Sequence, residues 1–370
     1  MYYRTFKDIK LSALGLGNMR LPRKNPDNPE EGIDWPEAHK LMDRAMEAGI
    51  NYYDTAYVYG DGDSELCVGA GLSKYPRDSY YLATKYSCRA THDYRMVFET
   101  QLKRLQTDHI DFYLLHCLQV DNVDFYTNGG CIEYFEEQRR LGRIKYLGFS
   151  THAPVSVLEQ FLKRHHWDFV QIQLNYFDWV FGKAKKEYDL LTASGIPVMV
   201  MEPVRGGRLA TLNEEARAVL NAVRPDWSIP SWALRFVRTL DNVCVTLSGM
   251  SDMAQMEDNI RTFSDPHSLS DYEKETLFKA LDIYKKEFFV PCTACRYCTS
   301  TCPAGIEIPA WMSVYNDYKV RGDWAFENKP AKGGTPADCI GCGACESHCP
   351  QDIKVPQIMT ELATLLSKQR

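Results

Sequence analysis

No stretch of this chain approaches the roughly 20 consecutive apolar residues that a membrane-spanning helix requires, so a membrane role is not expected. There is also no block of like charges long enough to act as a tail. A formal net charge of -6 argues against nucleic acid as the main partner. The opening Met1-Tyr2-Tyr3-Arg4 leads into no apolar core of the kind a secretory signal carries. A Gly-x-Gly-x-x-Gly turn is missing after the first strand candidate, where Gly15-x-Gly17 ends before any helix begins. That absence counts against a doubly wound open sheet. No flavin-binding signature is visible either. What the chain does have is length and apolar content: 370 residues at 45% hydrophobic, enough for a large domain with an appendage.

Cysteine is plentiful but unevenly placed, with eight of the thirteen in two runs near the C-terminus. Cys292-x2-Cys295-x2-Cys298-x3-Cys302-Pro303 recurs as Cys339-x2-Cys342-x2-Cys345-x3-Cys349-Pro350. Each run has the bacterial iron–sulfur spacing, in which three thiolates fold onto one [4Fe–4S] cube and the cysteine before proline ligates the other cluster. The spacing therefore predicts two [4Fe–4S] clusters, one on Cys292, Cys295, Cys298 and Cys349, the other on Cys339, Cys342, Cys345 and Cys302. Two zinc sites or a disulfide scaffold are the alternatives. Zinc knuckles usually leave a longer gap after Cys-x2-Cys. Thiolate clusters need a reducing compartment, which points to the cytoplasm. The scattered Cys67, Cys88, Cys117, Cys131 and Cys244 read as core or pocket residues.

Up to about residue 265 short apolar runs alternate with helical patterns. Strands are expected at Ala13–Gly17, Ile50–Asp54, Tyr80–Lys85, Ile110–His116, Tyr146–Ser150, Phe169–Asn175, Val198–Glu202 and Val243–Ser248. Between them lie amphipathic segments such as Trp35–Glu47, His92–Leu105, Cys131–Leu141 and Met253–Arg261. Eight successive βα units predict an α/β fold, a parallel (β/α)8 TIM barrel over 1–265. Residues 266–290 read as a connector with a helix, Asp271–Lys286. Residues 291–356 form a small, partly helical ferredoxin-like iron–sulfur domain, because 36 residues separate the two cysteine runs and Pro309–Val320 has helical character. A C-terminal helix closes the chain over 357–370, within the helical pattern Val355–Leu366.

Barrel enzymes place their sites at the C-terminal ends of the strands. Asp54 ends the second strand, in Asp54-Thr55-Ala56-Tyr57-Val58-Tyr59-Gly60; Lys85 ends the third and His116 the fourth. An aspartate, tyrosine, lysine and histidine at one mouth suit proton transfer to a carbonyl oxygen. A nearby ammonium is expected to lower a tyrosine's pKa, a carboxylate to hold that amine charged, and a neutral histidine to orient the carbonyl. With Asp54-Thr55-Ala56-x-x-Tyr59-Gly60, Lys85 and Leu115-His116 in this order, residues 1–265 resemble the aldo-keto reductase family. The C-terminal part resembles the dicluster ferredoxin extension of one branch of that family. The resemblance implies Tyr59, not Tyr57, as the general acid, tuned by Lys85 and Asp54, with His116 positioning the substrate.

The same resemblance implies a nicotinamide cofactor, NADP or NAD. Ser150 and Gln171 match residues that hold the carboxamide, and Asn175 is a later polar position of that strand. Met201 stands where the family has a stacking aromatic. Asn259 matches an adenine contact. The basic pair that grips a 2′-phosphate falls on Gly249 and Gln255, which carry no charge, so discrimination against NADH is expected to be weak. Arg205 and Arg208 are candidates for the pyrophosphate. The resulting expectation is reduction of a small-molecule aldehyde or ketone, with electron transfer through the clusters. Hydride chemistry moves two electrons and each cluster one, so a ferredoxin or flavoprotein partner is a further expectation. A redox carrier whose barrel only docks partners, or purely structural clusters, are the alternatives. Tyr57, Tyr86, Tyr176, Phe177 and Trp179 hint at a ring-bearing substrate.

Overall fold

The computed structural model describes residues 1–25, 31–287, 289–292, 294–349 and 351–369. Pro350, which closes the second cysteine run, lies outside these. The chain forms two compact units: Met1–Leu212 with Arg217–Phe278, and Asn213–Ala216 with Lys279–Arg370.

The first unit opens with an antiparallel hairpin, β1 (Tyr3–Phe6) and β2 (Ile9–Ser12), which the sequence reading did not foresee. Eight parallel strands follow: β3 (Leu14–Gly17), β4 (Tyr52–Asp54), β5 (Tyr81–Tyr86), β6 (Ile110–Leu118), β7 (Ile144–Thr151), β8 (Phe169–Gln173), β9 (Val198–Met201) and β10 (Val243–Ser248). They pair in chain order, and β10 closes on β3 with Thr246 opposite Leu14. The strands read as near-continuous apolar runs because both faces are covered.

The hairpin stoppers the end of the barrel where the strands begin. Phe6 is buried, with its ring 5.3 Å from Phe112, 5.0 Å from Tyr146 and 6.4 Å from Phe169. All three partners lie in the first half of their strands, so the open mouth is at the strands' C-terminal ends. The covering helices follow local rules. In Trp35–Glu47 the Asp34 carboxylate accepts the Glu37 amide at 3.2 Å, and a proline sits in the first turn. Ala38, Leu41, Met42 and Ala45 bury one face at helical spacing. Asp63–Leu72 escaped the periodicity reading because seven of its ten residues are buried and no stripe marks it.

In the second unit, helices Ile308–Arg321 and Val355–Ser367 each begin six residues after the last cysteine of a run, with proline in the first turn. Trp311, Met312 and Tyr315 from one, and Val355, Met359 and Leu362 from the other, share one core with Ile306 and Ile353. Tyr315 Oη donates to Glu361 at 2.5 Å across the pair. The C-terminal helix is thus an integral part of this unit. Among the described residues no helix is long and apolar enough to cross a membrane.

Candidate functional site

Lys85 is wholly buried and paired with a carboxylate. Its Nζ lies 2.6 Å from Asp54 Oδ1 and donates to the Thr55 carbonyl at 2.7 Å. Burial pushes Asp54 up and Lys85 down, and their mutual attraction opposes both shifts. Lys85 Nζ stands 5.1 Å from the centre of the Tyr59 ring, which meets the His116 ring edge-on at 5.6 Å. Four residues from three strand ends are thereby brought together.

The strand behind the lysine is locked by a polar network that spacing could not reveal. Buried Glu65 accepts from Thr84 Oγ1 at 2.6 Å, Gln101 Nε2 at 2.8 Å and Arg104 Nη1 at 3.1 Å. Gln101 also donates to the Lys85 carbonyl at 3.0 Å. Asn18 ties β3 to β4 by donating to the Asp54 carbonyl at 2.9 Å.

His116 owes its direction to a bulge. The β6–β7 register shifts between Leu115 and Leu118, so His116 and Cys117 oppose the single residue Ser150. Cys117 sits at φ 58°, and its amide donates to Ser150 Oγ at 2.8 Å. Bulges of this kind re-aim a side chain beside a site. His116 Nδ1 is buried without a hydrogen-bond partner. Burial, reinforced by the charge of Lys85, holds the imidazole well below its ordinary pKa, so it is neutral.

The tyrosine departs from expectation. Burial raises the Tyr59 phenol well above 10, and the nearby Asp54 and Glu202 carboxylates add to that shift. Burial thus works against the depression expected from the neighbouring lysine. Tyr57 turns elsewhere: the Arg104 guanidinium lies over its ring at 4.7 Å.

The positions matched to a nicotinamide cofactor divide into open and committed. Gln171 is buried, reaches the Met201 sulfur at 3.6 Å and leaves Oε1 without a partner. Ser150 accepts the bulge amide and keeps its own hydroxyl proton to donate. Asn175 is committed as a helix cap: it accepts the Asp178 amide at 2.8 Å and donates to Asp178 Oδ2 and the Glu202 carbonyl. Arg205 is buried against Asp178 at 3.1 Å and over the Phe177 ring at 4.2 Å, so its charge is largely engaged. Asn259 donates to Ser248 Oγ at 3.0 Å. Gln255 accepts the Ser251 amide and donates to Asp252, whose carboxylate caps helix Met253–Ser264. Gly249 lies against the stem of Arg20.

Among the aromatics expected at the mouth, Tyr86, Tyr176 and Phe177 are buried core residues, and Trp179 packs on Tyr188 and Phe236. They give little support to a ring-bearing substrate.

In the second unit the eight cysteines gather around two cavities. One is lined by Cys302, Cys339, Cys342 and Cys345 with Ile306, Ile308, Val355 and Met359. The other is lined by Cys292, Cys295, Cys298 and Cys349 with Arg296, His348 and Met312. Each cavity thus takes three cysteines from one run and the last from the other. All eight are free; Cys295 and Cys342 are exposed, while Cys298 and Cys345 are buried. The two runs share one backbone course. Ala294 (φ 53°) and Arg296 (φ 66°) occupy the left-handed positions held in the second run by Gly341 (φ 69°) and Gly343 (φ 73°). A non-glycine residue there costs roughly 1–2 kcal/mol.

The aldo/keto reductase family profile matches residues 13–281, and a 4Fe-4S dicluster domain profile matches residues 291–353. An uncharacterized oxidoreductase of Bacillus subtilis, YqkF, is 28% identical over 74% of this chain and 96% of its own length. An L-galactose dehydrogenase from Arabidopsis thaliana is 25% identical, over 73% of this chain and 89% of its own. Among solved structures, the holo form of an aldo-keto reductase from Bacillus halodurans has a TM-score of 0.63 at 28% identity, covering 76% of this chain and 96% of its own. An aldo/keto reductase from Klebsiella pneumoniae in complex with NADP and acetate shares the fold at 21% identity and a TM-score of 0.60, over 76% of this chain and 94% of its own.

Proposed function

The chain belongs to the aldo/keto reductase family, and from that premise we propose that it reduces an aldehyde or ketone to the alcohol with a bound nicotinamide. The observation that carries this reading is the buried Lys85–Asp54 pair beside Tyr59, with neutral His116 on the ring's edge. A nicotinamide fits the residues present. Gln171 Oε1 is a buried acceptor without a partner, suited to a carboxamide N–H, and Ser150 retains a donor. Bound there, NADH or NADPH would supply hydride to the carbonyl carbon.

The protein's own part is proton delivery. His116 orients the carbonyl oxygen toward the Tyr59 hydroxyl. As negative charge grows on that oxygen, Tyr59 gives up its proton, and the Lys85 ammonium steadies the phenolate left behind. Asp54 keeps the lysine charged inside a dry site, where such an interaction is strong. Water then returns the proton to Tyr59.

The paired cavities fit two [4Fe–4S] clusters, with Cys292, Cys295, Cys298 and Cys349 on one and Cys339, Cys342, Cys345 and Cys302 on the other. The support is the division of the cysteines between the cavities together with the apolar lining. With Cys295 and Cys342 exposed, one ligand of each cluster would be open to the surface, which suits single-electron exchange with an external ferredoxin or flavoprotein in a reducing cytoplasm.

The test is Tyr59→Phe assayed by nicotinamide oxidation with a panel of aldehydes and ketones. Turnover should fall by about 10² to 10⁴-fold, the usual worth of a positioned acid, with cofactor binding unchanged. Tyr57→Phe is the control and should retain most activity. Near-normal turnover in the Tyr59 variant, in a regime limited by chemistry, would defeat the assignment.

A further inference from the structure

Gly249 and Gln255 leave the expected phosphate-binding segment without a cation, and Arg205 is engaged by Asp178. A different arginine lies against the same segment. Arg20 follows β3, at the end of a short turn, Asn18–Arg20. Its backbone carbonyl accepts Ser251 Oγ at 2.8 Å, which fastens it to the segment after β10. Its stem runs along Gly249: a Cβ added there would meet Arg20 Cβ at 3.4 Å and Cγ at 3.8 Å. The Arg20 stem thus packs beside position 249 at ordinary contact distance. The guanidinium then reaches the turn after β9, where Nη1 donates to the Gly206 carbonyl at 3.1 Å.

That turn is built for close approach. Gly206 (φ 63°) and Gly207 (φ 95°) both take left-handed backbone, and space lies open above Gly207. Arg20, Arg205 and Arg208 all act on Glu202 at the end of β9, so positive charge from two loops converges here. Arg20 is exposed, and a guanidinium has five donors of which the Gly206 carbonyl takes one.

We propose that Arg20, from the loop after β3, binds the pyrophosphate of the nicotinamide cofactor. The inference rests on the nicotinamide reading above. It assigns the charge to a group that NADH and NADPH share. At the other end of the segment the Asp252 carboxylate stands beside Gln255, a poor setting for a 2′-phosphate. The cleft is accordingly specialised for dinucleotides as a class, with little preference between the two.

The experiment is fluorescence titration of the full chain, and of Arg20→Ala and Arg20→Lys, with NADH and with NADPH at several salt concentrations. Far-UV circular dichroism confirms that the variants are folded. Wild type should bind both cofactors within about tenfold of each other. Arg20→Ala should weaken both by a similar factor, about ten- to a hundredfold, the range for a charge-assisted bond. Its binding should also depend less steeply on salt, and Arg20→Lys should recover part of the loss. A loss confined to NADPH would assign Arg20 to the 2′-phosphate and overturn the proposal. So would a change below about threefold on both cofactors, which would leave Arg20 a clasp between loops. If the wild type bound neither cofactor, the nicotinamide reading itself would fall, and this inference with it.

Discussion

Replacing Asp54 with asparagine separates the stability of the barrel mouth from its chemistry. Lys85 is fully buried, and its ammonium has two acceptors, Asp54 Oδ1 at 2.6 Å and the Thr55 carbonyl at 2.7 Å. Asp54→Asn keeps the shape and removes the counter-charge. Breaking a buried pair by deleting one partner costs about 3–5 kcal/mol, because the remaining charge is left uncompensated in a dry site. Lys85 should respond by losing its proton, which also removes the charge that steadies the Tyr59 phenolate. The double variant Asp54→Leu with Lys85→Met replaces the pair by apolar groups of similar size. By the same balance it should lie within about 1–2 kcal/mol of wild type, or above it. Urea unfolding followed by circular dichroism measures the barrel, and visible absorbance follows the cysteine unit separately. The expected pattern is a destabilised, inactive single variant and a stable, inactive double variant. A loss below about 1 kcal/mol in Asp54→Asn would mean that the pair is not ionised. Full activity in the double variant would remove both residues from the chemistry.

Anaerobically purified protein should carry about eight irons and eight acid-labile sulfides, as two [4Fe–4S] clusters. Cys349→Ala should impair the cluster of the first run and Cys302→Ala that of the second, seen as loss of one paramagnetic signal in the reduced protein; zinc without iron after reconstitution would refute both. Glu187 supplies a test in pH. It is buried, and burial raises its carboxyl to about 7 despite Lys183 at 3.1 Å. The folded state thus holds this proton more tightly than the unfolded chain, so its contribution is full below pH 4.5 and is lost as pH rises through 7. The total is about 3 kcal/mol at most. Glu187→Gln should flatten the urea midpoint between pH 5 and 8; an unchanged slope would rule this residue out.

Much of the molecule was legible in one dimension because the relevant order is itself one-dimensional. Eight apolar runs separated by helical patterns implied the parallel barrel, and strand ends named Asp54, Lys85 and His116. The cysteine runs carried their own ligand spacing. Interactions between residues far apart in the chain left no such trace. The hairpin Tyr3–Phe6 and Ile9–Ser12 is short and weakly patterned, and its purpose is visible only where Phe6 meets rings from three strands.

The sequence by itself determined the fold class, the strand-end positions of Asp54, Lys85 and His116 and the spacing of the two cysteine runs, because periodicity and spacing encode local geometry directly; the choice of Tyr59 over Tyr57 came from the family resemblance. Only the tertiary structure decided what those residues experience. Burial set the tyrosine above its ordinary pKa and the histidine below, and a bulge opposite Ser150 turned His116 into place. Folding committed Asn175 and Arg205 to partners elsewhere, and it carried Arg20 across the barrel's closure to a segment more than two hundred residues away. Desolvation and long-range contact are properties of the closed barrel, and no window along the chain contains them.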